Sequence, residues 1–264
     1  MLGAMIGDLA GSIYEYPQTK KVSTVDSDVV IPDGAFFSDD TILTTAICDA
    51  ILSDAPYESK LREYIQKYSL YRPNVAEYFK TPFSPSLMAW AEDDLVGYSG
   101  GNGAMMRVSP VGYLFDSEED VLLNAELATI PSHRSKEAIT CAQIVALMIF
   151  YFRQGLSKDE VFNKLNLTAN YTCLKSFNTS CYDTLPVVLY AIYYGEDFED
   201  SIKLARSFGG DTDTNCAITG SIAEAIYGID TIVKKEALAK IPSELAHILL
   251  DAEIKVKDIK EKTL

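Results

Sequence analysis

The sequence is poor in histidine and in paired cysteines. Its two histidines, His133 and His247, are too few to build a metal site from imidazole ligands. Its cysteines are odd in number, scattered and without a CxxC pair. This usage argues against a disulfide framework and predicts reduced thiols in a cytoplasmic protein, where cysteines serve packing. The cysteines are Cys48, Cys141, Cys173, Cys181 and Cys216.

Basic residues are also few. The chain has 23 Lys and Arg against 38 Asp and Glu, which gives a net charge of −15 and a pI near 4.5. A general nucleic-acid-binding protein needs a basic face, so this class is not expected. The charge does not exclude an anionic ligand that is held locally by metal ions and backbone amides.

Long hydrophobic runs are absent. The longest uncharged run, 138–152, is too short to span a membrane and favours a buried helix. The apolar N-terminal stretch is interrupted by Asp8 and has no cationic segment before it, so we expect no signal peptide. We therefore expect a soluble protein without membrane contact.

Sustained strand alternation is missing too, and apolar residues recur at helical spacing through most of the 264 residues. Glycines 3, 7 and 11 would lie on one side of the first helix, where a neighbour can approach closely. The pattern predicts an all-α protein with one domain over 1–264. The predicted helices are 1–16, 42–52, 58–71, 85–92, 117–128, 134–153, 156–164, 184–194, 197–207, 214–227 and 234–250.

The most distinctive stretch is 208–215, Phe-Gly-Gly-Asp-Thr-Asp-Thr-Asn, in which Asp211 and Asp213 are each followed by a hydroxyl. A glycine turn brings these oxygens to the start of an apolar helix. Hard cations such as Mg²⁺ prefer such oxygen ligands. Taken alone, the stretch fits helix capping equally well, because Asp and Thr are favoured there.

A second stretch, 36–41, Phe-Phe-Ser-Asp-Asp-Thr, repeats this order of apolar residues, hydroxyl, two carboxylates and hydroxyl. Two such stretches suggest one shared site. Four carboxylates in one pocket would repel each other unless cations lay between them. We therefore predict a site for two divalent cations.

Three further features have a functional and a structural interpretation. The Gly-rich stretch 99–107 can form an amide nest for phosphate or an ordinary turn. His133 precedes a long helix and can contact a ligand or lie at the surface as part of a cap. Asp8 and Glu15 are two helical turns apart and can supply a base, accept hydrogen bonds that support the site, or be solvated carboxylates. His247 is expected to be structural.

These motifs occur in a fixed order: Gly7-Asp8 with Gly11 and Glu15, Ser38-Asp39-Asp40-Thr41, Gly101-Asn102-Gly103 with Met106-Arg107, Ser132-His133, and 209–214. In this combination, over residues 1 to about 228, the chain resembles the ADP-ribosylglycohydrolases, a family that includes the dinitrogenase reductase-activating glycohydrolase. The resemblance implies a single compact orthogonal helical domain with two Mg²⁺ or Mn²⁺ ions.

The resemblance also implies roles for individual residues. Glu15 and Asp39 would be catalytic carboxylates, and His133 would contact ADP-ribose. The loop that holds the diphosphate would contain Ser99, Gly100, Gly101, Asn102, Gly103 and Met105. The metal ligands would be Ser38, Asp39, Asp40, Asp211, Asp213 and Thr214.

The implied reaction is hydrolysis of the glycosidic bond at C1″ of an ADP-ribosyl group, with release of ADP-ribose. The substrate would be an ADP-ribosylated protein or a small ADP-ribose conjugate, and we expect a monomer. Two alternatives stay open at this point: a non-catalytic ADP-ribose-binding protein, and a binuclear-metal phosphohydrolase that would cleave the diphosphate instead.

Overall fold

A computed structural model describes residues 1–18, 27–73, 81–93, 96–170 and 177–263. Within these ranges the chain forms helices and two isolated β-bridges, with no sheet. The predicted all-α class is confirmed. The helices are α1 (Leu2–Gln18), α2 (Asp39–Ser53), α3 (Tyr57–Tyr68), α4 (Pro85–Glu92), α5 (Gly103–Met106), α6 (Ser109–Leu114), α7 (Glu118–Thr129), α8 (Lys136–Arg153), α9 (Lys158–Lys164), α10 (Cys181–Tyr194), α11 (Phe198–Ser207), α12 (Thr212–Tyr227), α13 (Thr231–Leu238) and α14 (Ser243–Thr263).

Helices α1 and α12 pack closely against each other. A Cβ atom at Gly7 would lie 2.0 Å from the carbonyl oxygen of Cys216, and one at Gly11 would lie 2.2 Å from that of Thr212. Only glycine allows the two backbones to approach this closely, as its spacing predicts. The contact brings the start of α12 against the middle of α1.

Buried apolar side chains from Met1 to Val256 form one hydrophobic core, to which α2, α8 and α12 contribute many residues. This supports the proposal of a single domain. Cys48, Cys141, Cys181 and Cys216 are buried free thiols, as expected for packing residues, whereas Cys173 lies outside the described ranges. No helix of the described chain is long and apolar enough to cross a membrane.

Arg206, at the end of α11, is 1% exposed and connects the segment before α2 to the core. Its guanidinium donates to the carbonyl oxygens of Ala10, Ser27, Val29 and Val30 over 2.7–3.2 Å. The bonds to Ser27, Val29 and Val30 satisfy carbonyl groups outside the helices, and they order the chain that leads to α2.

The structure corrects one predicted helix. The segment predicted as a single helix over 234–250 is divided into α13 and α14 by residues 239–242. Pro242 has no N–H and restricts the residue before it, so α13 ends before Pro242 and α14 begins directly after it. The short helices α5 and α6 were not predicted, and α10 begins at Cys181 rather than at residue 184.

Candidate active site

The first acidic stretch forms the start of α2. The Ser38 hydroxyl caps this helix by accepting from the Asp40 backbone N–H at 3.2 Å. Asp8 Oδ2 accepts from the backbone N–H of Ser38 at 2.8 Å and from that of Thr41 at 3.1 Å. It also accepts from the Thr41 hydroxyl at 2.5 Å. Asp8 is fully buried, so the interpretation as a solvated carboxylate was wrong; this side chain holds the turn in shape.

The second acidic stretch forms the start of α12. Gly209 and Gly210 have φ of 72° and 78°, which glycine adopts without strain. The Asp211 side chain makes no capping bond, although it occupies the N-cap position. Its Oδ2 accepts from Asn102 Nδ2 at 2.6 Å instead. Capping therefore does not explain Asp211.

The two stretches meet in space. Thr214 Oγ1, on α12, donates to Asp40 Oδ2, on α2, at 3.1 Å. Ser38 Oγ donates to the same oxygen at 3.1 Å. Residues that are far apart in the sequence thus share one buried network.

A cavity of about 590 Å³ opens over this network. Asp40 lies beneath it and is 1% exposed. Met105 is fully buried in the core, and its neighbour Met106 lines the cavity instead. Gly100 is outside the lining and faces Ser135 and Glu137. The candidate residues that do line the cavity are Glu15, Ser38, Asp39, Ser99, Gly101, Asn102, Gly103, His133, Asp211, Asp213 and Thr214.

Two groups of carboxylates in this network have oxygens within 4.8 Å of one another: Asp8, Asp40 and Asp213, and Glu15, Asp211 and Asp213. Asp213 belongs to both. Asp8 Oδ1 and Asp40 Oδ1 are buried and have no hydrogen-bond partner in the described chain. Unpartnered buried carboxylate oxygens are costly, and a divalent cation with oxygen ligands would compensate them. The residues present therefore fit one or two hard cations.

The pKa values of these carboxyl groups also fit a cation site. Burial, followed by the charges of Asp211 and Asp39, raises the pKa of Glu15 to about 8. Burial, followed by the charges of Asp8 and Asp211, raises the pKa of Asp39 to about 8. Burial also raises the pKa of Asp8 to about 6. Without cations the cluster therefore retains protons at neutral pH, and bound cations would reverse this.

The Gly-rich loop forms the wall beside this acidic floor. On one side Tyr98 makes an antiparallel bridge with His133, and on the other Gly101 makes one with Ser180. Asn102, a residue of this loop, connects the wall to the floor because its Nδ2 donates to Asp211. The same atom donates to Thr184 Oγ1 at 3.0 Å. The loop is thus fixed relative to the carboxylates.

His133 is 6% exposed and lines the cavity. This excludes a surface position for its ring. Burial and the nearby charge of Arg107 hold its pKa well below the usual range, so the imidazole is uncharged. A neutral ring next to the loop can donate one hydrogen bond to a ligand.

Comparison with known proteins identifies the family. The family model described as ADP-ribosylglycohydrolase matches residues 1–258. The chain belongs to the ADP-ribosylglycohydrolase family. The predicted enzyme class, an ADP-ribosylglycohydrolase of the glycosidase type, is confirmed at this level.

Two relatives share about a fifth of their aligned residues with the chain. It is 22% identical to the ADP-ribosylarginine hydrolase Tri1 of Pseudomonas putida, over 98% of this chain and 79% of that protein. It is also 22% identical to human ADP-ribosylhydrolase ARH3, over 88% of this chain and 85% of that protein. A solved structure titled ADP-ribosylglycohydrolase-related protein complex has the same fold, with a TM-score of 0.68, 21% identity and 97% coverage of both chains.

Sequence reasoning missed one wall of the cavity. Part of the cavity lining comes from α4 and the residues before it, namely Thr81, Pro82, Phe83, Ser84, Ser86, Leu87 and Trp90. These residues carry no carboxylate or glycine pattern, and their apolar spacing is that of any packed helix. The sequence alone contains no signal that separates them from core residues.

Proposed function

We propose that this ADP-ribosylglycohydrolase hydrolyses the glycosidic bond at C1″ of the distal ribose of an ADP-ribosyl group and releases ADP-ribose. One observation carries the proposal: two groups of carboxylates that share Asp213 lie at and beneath the floor of a cavity whose wall is the Gly-rich loop. The floor suits a centre of two cations, Mg²⁺ or Mn²⁺, and the wall suits a diphosphate.

The wall residues would bind and orient the substrate. Backbone amides of the loop would hold the diphosphate oxygens, which explains how a protein with a net charge of −15 can bind an anion. His133 would add a neutral donor. The distal ribose would then face Asp39, Asp211 and Asp213 on the floor. We assign the metal ligands to Ser38, Asp39, Asp40, Asp211, Asp213 and Thr214, and we add Asp8 as the residue that positions the first stretch.

These ligands would hold two divalent cations, which when bound would supply Lewis-acid activation of water. A carboxylate, Glu15 or Asp39, would accept the proton of the attacking water. The water oxygen would bond to C1″, the bond from C1″ to the leaving N or O atom would break, and the leaving group would gain a proton. The transition state would resemble an oxocarbenium ion, as in other glycoside cleavages.

The test uses one ADP-ribosyl-arginine peptide and one ADP-ribosyl-serine peptide, each with Mg²⁺, with Mn²⁺ and with EDTA. Products are identified by mass spectrometry. The arginine linkage is the first choice because the Pseudomonas putida relative is named for it. We expect intact ADP-ribose only in the presence of a metal ion.

Two other results would contradict the proposal. AMP and a ribose phosphate as products would indicate a binuclear-metal phosphohydrolase. ADP-ribose binding without turnover of any linkage would indicate a binding protein. We further propose that the substrate is an ADP-ribosylated protein or a small ADP-ribose conjugate and that the enzyme acts as a cytoplasmic monomer; these points stay predictions.

A further inference from the structure

Arg107 follows α5 and is buried beside the cavity with 1% of its surface exposed. Its Nη2 donates to Ser132 Oγ at 2.8 Å and to the carbonyl oxygen of Ala128 at 3.2 Å. Among the described residues that line the cavity it is the one Arg or Lys. Burying a charged guanidinium costs free energy, so its position beside the cavity suggests a function.

Ser132 connects Arg107 to His133. The distance from Ser132 Oγ to His133 Nδ1 is 2.8 Å, and either atom can be the donor in principle. Arg107 cannot accept a hydrogen bond, so Ser132 Oγ must accept from it. The hydroxyl proton of Ser132 then has one acceptor among its observed contacts, His133 Nδ1. This places the ring proton of the neutral imidazole on Nε2.

The other ring nitrogen faces the Gly-rich loop. His133 Nε2 is the atom nearest to a Cβ built at Gly103, at 3.1 Å, and it lies 3.7 Å from one built at Gly101. A side chain at Gly103 would therefore crowd this nitrogen, whereas one at Gly101 would make an ordinary contact with it. The loop keeps space open where the Nε2 proton emerges.

We propose that Arg107 and Ser132 are positioning residues that fix His133 as an Nε2–H donor toward a phosphate oxygen of the substrate. The proton assignment rests on the network alone, whereas the phosphate partner rests on the proposed function. A donor fixed in this way needs no reorientation when the anion binds, which is the advantage of preorganisation. It also prevents His133 from presenting a lone pair, which would repel a phosphate oxygen.

The first test is ¹⁵N NMR of the histidine rings in the intact protein at pH 7. The chain has two histidines, and the exposed His247 serves as an internal reference. We expect one protonated nitrogen in His133, Nε2. Ser132→Ala should give a mixture of the two neutral tautomers, and Ser132→Thr should retain the wild-type spectrum because the hydroxyl is kept. Ser221→Ala removes another buried hydroxyl, one that donates to Ile218, and should change neither spectrum nor affinity.

The second test is the Kd for ADP-ribose by calorimetry. Ser132→Ala should weaken binding by about 10-fold, as expected for one misdirected hydrogen bond to a charged group. A proton on Nδ1, an imidazolium at pH 7, or an unchanged spectrum in Ser132→Ala would overturn the network. A changed tautomer with unchanged affinity would overturn its role in binding. If the unaltered protein binds no ADP-ribose, the proposed function fails, and the spectra still decide where the proton lies.

Discussion

Asp213 is the residue on which both carboxylate groups depend, because its oxygens lie within 4.8 Å of members of each. We expect Asp213→Asn to lower turnover by about 100-fold or more, since even residues one contact away from a metal typically cost 10–100-fold. Asp251→Asn, on the exposed side of α14, is the matched control and should leave turnover unchanged. The measurement is ADP-ribose release at saturating Mg²⁺. Activity above one tenth of wild type would contradict the shared-ligand assignment.

Asn102 joins the loop to the acidic floor through its 2.6 Å bond to Asp211. We expect Asn102→Ala to reduce kcat/KM by about 10–100-fold, because Asp211 loses the donor that orients it. The affinity for Mn²⁺, measured by calorimetry, should fall as well. Asn124→Ala, which removes bonds to Tyr57 and to the Asp120 carbonyl on α7, is the control and should alter neither quantity. An unchanged Mn²⁺ affinity in Asn102→Ala would show that this contact does not shape the metal site.

The sequence predicted that the two acidic stretches share one site, but it did not identify every contact that holds them in place. Repeated hydroxyl–carboxylate order is a local signal, so Ser38, Asp39, Asp211 and Asp213 could be named as candidate site residues without a structure. The partners of Asp8 could not, because they are backbone amides that come near this side chain only in the folded chain. Met105 and Met106 differ by one position on a four-residue helix, too short for periodicity to show which one faces the cavity.

At the scale of elements, the contact of α1 with α12 holds Glu15 and Asp8 against Asp213. We expect Gly7→Ala to destabilise the fold by about 3 kcal/mol or more, since its Cβ would lie 2.0 Å from a backbone oxygen and backbone cannot move aside cheaply. Gly34→Ala is the control: its Cβ meets nothing, and only the positive φ of 80° costs about 1–2 kcal/mol. Urea denaturation measures both. Equal losses would show that the close approach contributes little to stability.

The helices themselves were largely predictable, because apolar positions three and four apart indicate buried faces wherever the helix is long. The prediction failed at α13 and α14, where helical periodicity runs on past Pro242 although that residue has no N–H to donate. It also missed α5 and α6, which are four and six residues long. Such short helices depend on tertiary contacts rather than on a pattern of their own.

At the scale of the whole molecule, the net charge of −15 and the buried carboxylates act in the same direction. Both make the metal-free protein less stable as more carboxyl groups ionise. A folded state that raises the pKa of an acid holds its proton more tightly than the unfolded chain does. The site is therefore organised for cations at a cost to the fold without them.

Ionising the buried carboxyl groups without cations destabilises the fold, and this predicts how stability depends on pH and metal. Glu15 and Asp39 have pKa values near 8 in the folded protein, against 4.5 and 3.8 in the unfolded chain. Between pH 6.5 and 8.5 the folded state binds more protons than the unfolded one, so Tm in EDTA should fall as pH rises. His133 adds the opposite slope only below about 6.5, where the unfolded ring becomes charged.

Saturating Mn²⁺ should raise Tm, and the rise should be larger at pH 8.5 than at pH 6.5, because cations bind the ionised cluster and not its protonated form. Each kcal/mol of stabilisation corresponds to about 2–4 °C in a chain of this size. NaCl at equal ionic strength is the control, since it screens the surface charge without occupying the site. The same gain with NaCl, or a Tm in EDTA that rises over this pH range, would mean that the buried carboxylates do not form a cation site.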